Sequence, residues 1–209
     1  MANVLARYKM SADELRKVIK FEAIFVLCSS YTVLSLSQII NDLCSSKDGT
    51  LLGPRRKGRG DKQFVKVFMT NPDLLWAASW PRPRLGPLAV TIACKEVFKA
   101  EYGYELEVEQ FGKPTLSTMD YAERQLRKRA KKNGVHITHF YMIGDNPASD
   151  IAGGNAKGWS TILVKTGVFD PKADSSTSDG NDKKYPATYV AEDFEEALNW
   201  IYSKENLHD

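Results

Sequence analysis

The apolar positions along the chain change their period repeatedly, and each change marks an element. Ser11 followed by Ala12, Asp13 and Glu14 is a hydroxyl cap backed by acidic residues, which predicts a helix to about Lys20. The run Ala23-Ile24-Phe25-Val26-Leu27 predicts a buried strand, and apolar residues from Leu36 to Leu43 recur at helical spacing. Val65 to Met69 reads as a strand that ends in the turn sequence Thr70-Asn71-Pro72-Asp73. Leu74-Leu75-Trp76 is expected in the core. Pro81, Pro83 and Pro87 make an extended connector, followed by a helix from Leu88 to Tyr102 with Val90, Ile92, Val97 and Phe98 on its apolar face. Leu106 to Phe111 is a strand. Leu116 to Lys132 is a helix with Leu116, Met119, Ala122, Leu126 and Ala130 on one face, ended by Asn133-Gly134.

Beyond that helix, strand and helix alternate. Tyr141-Met142-Ile143, breaking at Gly144-Asp145, reads as a buried parallel strand that delivers a carboxylate to its C-terminal end, where open α/β sheets place their ligands. Asp150 opens a short helix that runs towards Gly158. Thr161 to Val164 and Thr188 to Val190 are further strands, and Asp193 to Lys204 is an amphipathic helix with Phe194, Ala197, Leu198 and Ile201 inward. Pro171 to Lys184, rich in Asp, Ser, Lys and Gly, is too polar to pack and is expected to stay mobile. The fold class is α/β.

With 209 residues the chain can bury a sizeable core, in one large or two small domains. A formal charge of +3 is too small to argue for nucleic acid, and the basic residues from Arg124 to Lys132 suit the C-terminal end of a helix dipole. Arg55, Arg56, Lys57, Arg59 and Lys62 stand among glycines in a loop expected to be solvated. Cys28, Cys44 and Cys94 have no Cys-x-x-Cys spacing, which argues against zinc and disulfide frameworks and for a reducing compartment. No apolar run is long enough for a membrane span. The basic residues before Lys20 are interrupted by Asp13 and Glu14, unlike a transit peptide.

The candidate chemistry clusters around the central strand. Asp145, Asp150 and the side-chain oxygen of Asn146 can converge on one point, as a hard cation such as Mg2+ requires; a turn with an Asp cap is the structural alternative. Lys113, in Gly112-Lys113-Pro114, offers an ammonium on a flexible stem that can neutralise a phosphoryl oxygen. Asn71 and Asp73 either select a substrate or close a turn. His136 and His139 precede the central strand at its far end and are not metal ligands.

Gly112-Lys113-Pro114, then Gly144-Asp145-Asn146-Pro147-Ala148-Ser149-Asp150-Ile151, then Gly158-Trp159 and Leu163-Val164-Lys165-Thr166-Gly167-Val168, occur in one order. Together they resemble the C-terminal half of a haloacid dehalogenase (HAD) superfamily hydrolase of class IIA. Within that class the resemblance is to the cat eye syndrome critical region protein family and its fungal homologues, from about Phe21 onward. It implies a HAD-like Rossmannoid parallel-sheet core, incomplete because its first strand is missing, with an α/β cap domain. On that reading residues 1–20 are an N-terminal helical segment, 21–110 the cap and 111–209 the C-terminal part of the core.

The resemblance implies a Mg2+-dependent phosphatase of small phosphomonoesters that works through an aspartyl-phosphate. Lys113 would be its catalytic lysine, Asp145 a metal ligand, and Asp150 a ligand through water or an orienting group; Asn71 and Asp73 would lie in the cap loop near the substrate. It also implies a mitochondrial location, otherwise a cytoplasmic one. The family's Asp-x-Asp nucleophile motif has no counterpart. Asp48-Gly49-Thr50 imitates its second half, but Ser46 stands at the nucleophile position and no apolar strand leads in, so a turn is expected. Cys28-Ser29-Ser30-Tyr31-Thr32 follows a strand without either acid. The chain by itself is therefore expected to have little or no phosphatase activity, as a shortened form of a longer hydrolase or a pseudoenzyme. The alternative is a non-catalytic phospholigand-binding or protein-interaction module. The missing strand is expected to leave an open apolar sheet edge and to favour self-association into homo-oligomers. A dinucleotide-binding fold is disfavoured, since no Gly-x-Gly-x-x-Gly follows a strand.

Overall fold

In the computed structural model, residues 11–27, 32–172 and 176–207 are described. Residues 1–10 and the Cys28 to Tyr31 stretch weighed above lie outside them. In chain order the elements are α1 (Ala12–Val18), β1 (Ala23–Val26), α2 (Val33–Cys44), β2 (Lys66–Met69), β3 (Leu75–Trp76), β4 (Arg84–Leu85) and α3 (Pro87–Tyr102). They continue with β5 (Val108–Gln110), α4 (Leu116–Lys132), β6 (Tyr141–Gly144), a π-helical turn (Pro147–Ile151), α5 (Ala152–Ala156), β7 (Ser160–Val164), β8 (Tyr189–Ala191) and α6 (Phe194–Lys204). The chain divides into two compact units, one of Met1–Asn71 and Pro87–Gln110, the other of Pro72–Gly86 and Phe111–Asp209.

In the first unit β1, β2 and β5 form a parallel sheet in that order, with Ile24 beside Val67 and Val67 beside Val108. Val67 and Met69 belong to a core shared with Ile40, Leu43, Val90 and Phe98 of the two helices. The period-two alternation of a strand puts Phe25 and Phe68 on the other side, where their rings stack at 4.8 Å. Phe25 is 63% exposed, so the continuous apolar run is covered on one face and not on both. On α3 the buried stripe is Val90, Thr91, Cys94 and Phe98, while Ile92 and Val97 point outward; the small Thr and Cys permit the close approach to α2 that larger residues would block. Ser11 and Glu14 cap α1 reciprocally, the Ser11 amide donating to Oε2 at 2.8 Å and the Glu14 amide to the Ser11 hydroxyl at 3.2 Å.

The basic loop after α2 is not uniformly solvated. The Arg56 side chain is buried with its guanidinium 4.6 Å from the Tyr104 ring, and it donates to the carbonyls of Asp61 at 2.9 Å and Cys44 at 3.2 Å. Asp48 forms the expected turn, Oδ1 accepting from the Thr50 amide at 3.0 Å and from the Ser46 hydroxyl at 2.9 Å.

The second unit holds the parallel sheet β6-β7-β8, with Gly144 beside Leu163 and Val164 beside Ala191. Ile162, Leu163 and Val164 are buried, and Trp200 of α6 stacks on Tyr189 at 4.7 Å. Four expectations change here, the first being that Phe194 of α6 is 57% exposed and not inward, because it stands in the first turn of the helix beyond the sheet. Leu74, Leu75 and Trp76 are exposed, because β3 and β4 pair only with each other, as an antiparallel ribbon, and the extended connector is its second strand. On α4 Met119 is buried, but Leu116 and Leu126 are exposed. The described part of the polar segment 171–184 is folded: the Asn181 side chain accepts from the Ala187 amide and donates to its carbonyl, both at 2.9 Å, and Asp182 Oδ1 accepts from the amides of Lys184 and Tyr185 at 2.9 and 2.7 Å. Side-chain hydrogen bonds to backbone order it without apolar burial.

The Phe98 ring is fully buried, in edge contact with Tyr104 at 5.5 Å. Phe98→Ala is expected to destabilise the first unit by about 3–5 kcal/mol, measured by urea unfolding; a loss below about 1 kcal/mol would mean that the surrounding core collapses into the space.

Candidate active site

Strand β6 ends at Gly144, and the next residues turn back on themselves around a buried carboxylate. Asn146 caps the π-helical turn, its Oδ1 accepting from the Ala148 amide at 3.1 Å. The wide turn carries Ser149, Asp150 and Ile151 into the interior. Asp150 therefore sits inside the π turn that precedes α5, not at the start of an α-helix as the sequence suggested. Its Oδ2 accepts from the Asn146 amide at 3.1 Å and its Oδ1 from Lys113 Nζ at 2.5 Å. A Cβ on Gly144 would lie 2.3 Å from the Asp150 carboxyl carbon, so the strand needs a glycine there for the carboxylate to fit beneath it.

Asp145 is held from the other side. Strand β7 exits through Gly167 and Val168, and the Val168 amide donates to Asp145 Oδ2 at 2.8 Å. A Cβ on Gly167 would stand 1.9 Å from that same oxygen. The other oxygen, Oδ1, makes no hydrogen bond among the described residues. Lys113 arrives from the loop before α4, where Gly112 has a φ of +99° and the Lys113–Pro114 peptide is cis. Thr118 and Thr115 brace that loop: the Thr118 hydroxyl accepts from the Gly112 amide at 2.9 Å, and the Thr115 hydroxyl donates to the Gly112 carbonyl at 2.6 Å.

Lys113, Asp145, Asn146, Asp150, Asp73 and Ser149 are among the residues that line one cavity of about 100 Å³. That volume admits a cation with a few waters, each of which occupies about 30 Å³ in the liquid. Asn71 falls in the first unit, while Asp73 belongs to the second. Hollows of about 390 and 400 Å³ beside Arg127 are larger, but neither is lined by an aspartate. Ser149 was passed over as a spacer in the sequence. Its hydroxyl is buried and finds no partner among the described residues, an orphan on a residue that lines the cavity. Gly167, against which Asp145 packs, stood in the sequence only as one member of a motif.

Burial opposes the charge on Lys113, but the hydrogen bond and charge of Asp150, reinforced by Asp73 and Asp145, outweigh it and raise the ammonium above its ordinary 10.5. Among the described residues no three His, Cys, Asp or Glu side chains form a metal cage. An open carboxylate oxygen, a neighbouring acid and an orphan hydroxyl nevertheless fit Mg2+, which keeps several of its waters and needs only one or two carboxylates.

A parallel α/β sheet with a lysine and two aspartates gathered at the exit of its edge strand defines a Rossmann-like fold of the HAD type. Residues 110–197 match the HAD-hydrolase-like family model, so this segment is similar to the HAD-like hydrolases. The chain is 36% identical over 185 residues to the cardiolipin synthase (CMP-forming) / mitochondrial hydrolase fusion protein of Schizosaccharomyces pombe, which covers 88% of this chain and 29% of the relative. It is 31% identical over 170 residues to a mitochondrial hydrolase of Saccharomyces cerevisiae, covering 72% of this chain and 48% of that protein. The chain thus spans less than half the length of these curated relatives. In fold it is similar to a HAD-superfamily structure from Cytophaga hutchinsonii described as a possible sugar phosphatase, with a TM-score of 0.53 and 19% identity, covering 88% of this chain and 55% of that one.

The raised Lys113 value fixes a sign. The stability that the ion pair contributes is fully present below the ordinary lysine value of 10.5 and is lost as the pH rises through the folded-state value. Lys113→Met leaves the Asp150 carboxylate, 4% exposed, without its cation. Because the lysine side chain is itself 41% exposed, the expected cost lies below the ~3–5 kcal/mol of a fully buried pair. Denaturant unfolding at neutral pH should separate variant from parent, and the gap should narrow above the lysine range; a gap independent of pH would assign the loss to packing.

Proposed function

We propose that this chain carries the cation- and phosphate-holding part of a Mg2+-dependent phosphomonoester hydrolase of the class IIA, cat eye syndrome critical region type, working in mitochondria. The supporting observation is the contact of Lys113 Nζ with Asp150 in a cavity that Asp145, with its open Oδ1, and Ser149, with its orphan hydroxyl, also line. The names of the two curated relatives, both mitochondrial hydrolases in whole or part, support the reaction class and the compartment.

On this reading Asp145 holds the cation through Oδ1, and Asp150 and Asn146 orient its waters. Both Asp150 oxygens are already engaged, by Lys113 and by the Asn146 amide, which suits an indirect role. When bound, Mg2+ neutralises charge that builds on the phosphoryl oxygens. The Lys113 ammonium binds one of those oxygens and keeps the neighbouring carboxylates ionised. Leu75, Trp76 and Ala77 border the same cavity and would meet the leaving group. A second reading, a phospholigand-binding module without turnover, is favoured by the lining itself. Its carboxylates are Asp73, Asp145 and Asp150, and the resemblance assigns the attack on phosphorus to none of them.

Calorimetric titration with inorganic phosphate in the presence of Mg2+, run beside hydrolysis of an aryl phosphate, separates the readings. Phosphate binding that falls ~10-fold or more in Lys113→Ala, the worth of one charge-assisted hydrogen bond, and that also weakens in Asp145→Asn, is the expected result, without turnover by this chain alone. Turnover abolished by either substitution would mean that a carboxylate of this chain attacks, with Asp73→Asn the next variant. Absence of both binding and turnover would remove the phosphoryl reading.

A further inference from the structure

The β3–β4 ribbon borders the cavity through Leu75, Trp76 and Ala77, and the rest of it, from Trp80 to Leu85, is exposed. From Leu74 to Leu85 every residue except Ala78 is exposed. Residues paired across an antiparallel ribbon share a face. The pairs Leu75 with Leu85 and Trp76 with Arg84 therefore present apolar surface on both sides. Trp76, Trp80 and Leu85 are 51%, 63% and 68% exposed, a concentration of large apolar surface that a ribbon in water does not ordinarily carry. No acidic residue occurs between Leu74 and Leu85, while Arg82 and Arg84 interleave with the apolar side chains. Neither arginine pairs with a carboxylate among the described residues.

We propose that the outer part of this ribbon docks on an anionic lipid surface, with Trp80 and Leu85 entering the headgroup boundary and Arg82 and Arg84 meeting lipid phosphates. Tryptophan suits that depth because its ring is apolar and its N–H is polar. Arginine lays its apolar stem along the boundary and keeps its head at the phosphates, with affinity supplied by the negative surface potential. Pro81 and Pro83 have no N–H, so the tip of the ribbon brings fewer donors that must be desolvated. The same prolines oppose a second copy adding a strand at the β4 edge, and two ribbons meeting about a two-fold axis would bring four arginines together.

The test uses the whole chain with vesicles of phosphatidylcholine alone and of phosphatidylcholine mixed with phosphatidylglycerol, read by flotation and by tryptophan emission. Expected are flotation and a blue shift with the mixed vesicles only, weakened by salt. Trp80→Ser and the double variant Arg82→Glu, Arg84→Glu should each lower the partition about tenfold or more, with unchanged circular dichroism; both sites are solvent-exposed, so folding is not at stake. No partition into mixed vesicles, equal partition into both kinds, or undiminished partition of the arginine variant would each overturn the proposal. A dimer on gel filtration that Trp80→Ser dissolves, without vesicle binding, would assign the ribbon to a second copy instead.

Discussion

A carboxylate removed from water has to be answered by its surroundings, and the Asp150 side chain, 4% exposed, sets the terms for everything around it. One oxygen takes a proton donor from the Lys113 ammonium and the other from the Asn146 amide. To let the carboxyl reach that position, the chain leaves β6 through a glycine and widens into a π turn, which tucks Asp150 back under the strand. The lysine must then come from a loop fixed by its own hydroxyl braces, at Thr115 and Thr118. The buried charge thus links the loop before α4, the exit of β6 and the turn before α5 into one electrostatic unit.

The two units of the chain solve the problem of order differently. In the first, interdigitated apolar side chains from β2, α2 and α3 make one continuous core, and the one buried charge among its described residues, Arg56, is satisfied by carbonyls and an aromatic face. In the second, smaller apolar clusters lie on the two faces of β6-β7-β8, and directed polar contacts do much of the ordering. Asn181 and Asp182 hold the approach to β8 through backbone amides, and Val168 holds Asp145. Directed contacts suit a scaffold that must hold charges at fixed separations, because a hydrogen bond specifies distance and angle where apolar burial specifies neither.

Much of this arrangement was legible in the sequence. An apolar run ending at Gly-Asp marks a parallel strand that delivers its carboxylate to the strand exit, so Asp145, Asn146 and Asp150 could be expected near one point before any distance was known, and the family resemblance implied Lys113 beside them. The β3–β4 ribbon could not, because Leu74-Leu75-Trp76 has the composition of a core strand and nothing in it records that these side chains stay largely exposed at a cavity's rim. Phe25 misled in the same way: a run of apolar residues does not say whether a sheet is packed on one side or two. The π turn was hidden since its residues carry ordinary helical character, and the excess residue that widens it shows only in the geometry. The polar segment before β8 was misjudged because composition counts apolar burial and misses order that comes from one asparagine and one aspartate.

The glycines at 144 and 167 bear on how such a site would be recognised by its chemistry. Each contributes by having no side chain: a single methyl at either position would intrude on a carboxylate that no substitution had touched. A survey of this chain that ranks positions by charge or nucleophilicity would leave both unmarked, although the cavity's outline is drawn as much by those two voids as by the acids themselves. Alanine, the customary neutral probe, is at these positions the intrusive residue, and a scan built on it would report the damage as though a functional group had been lost.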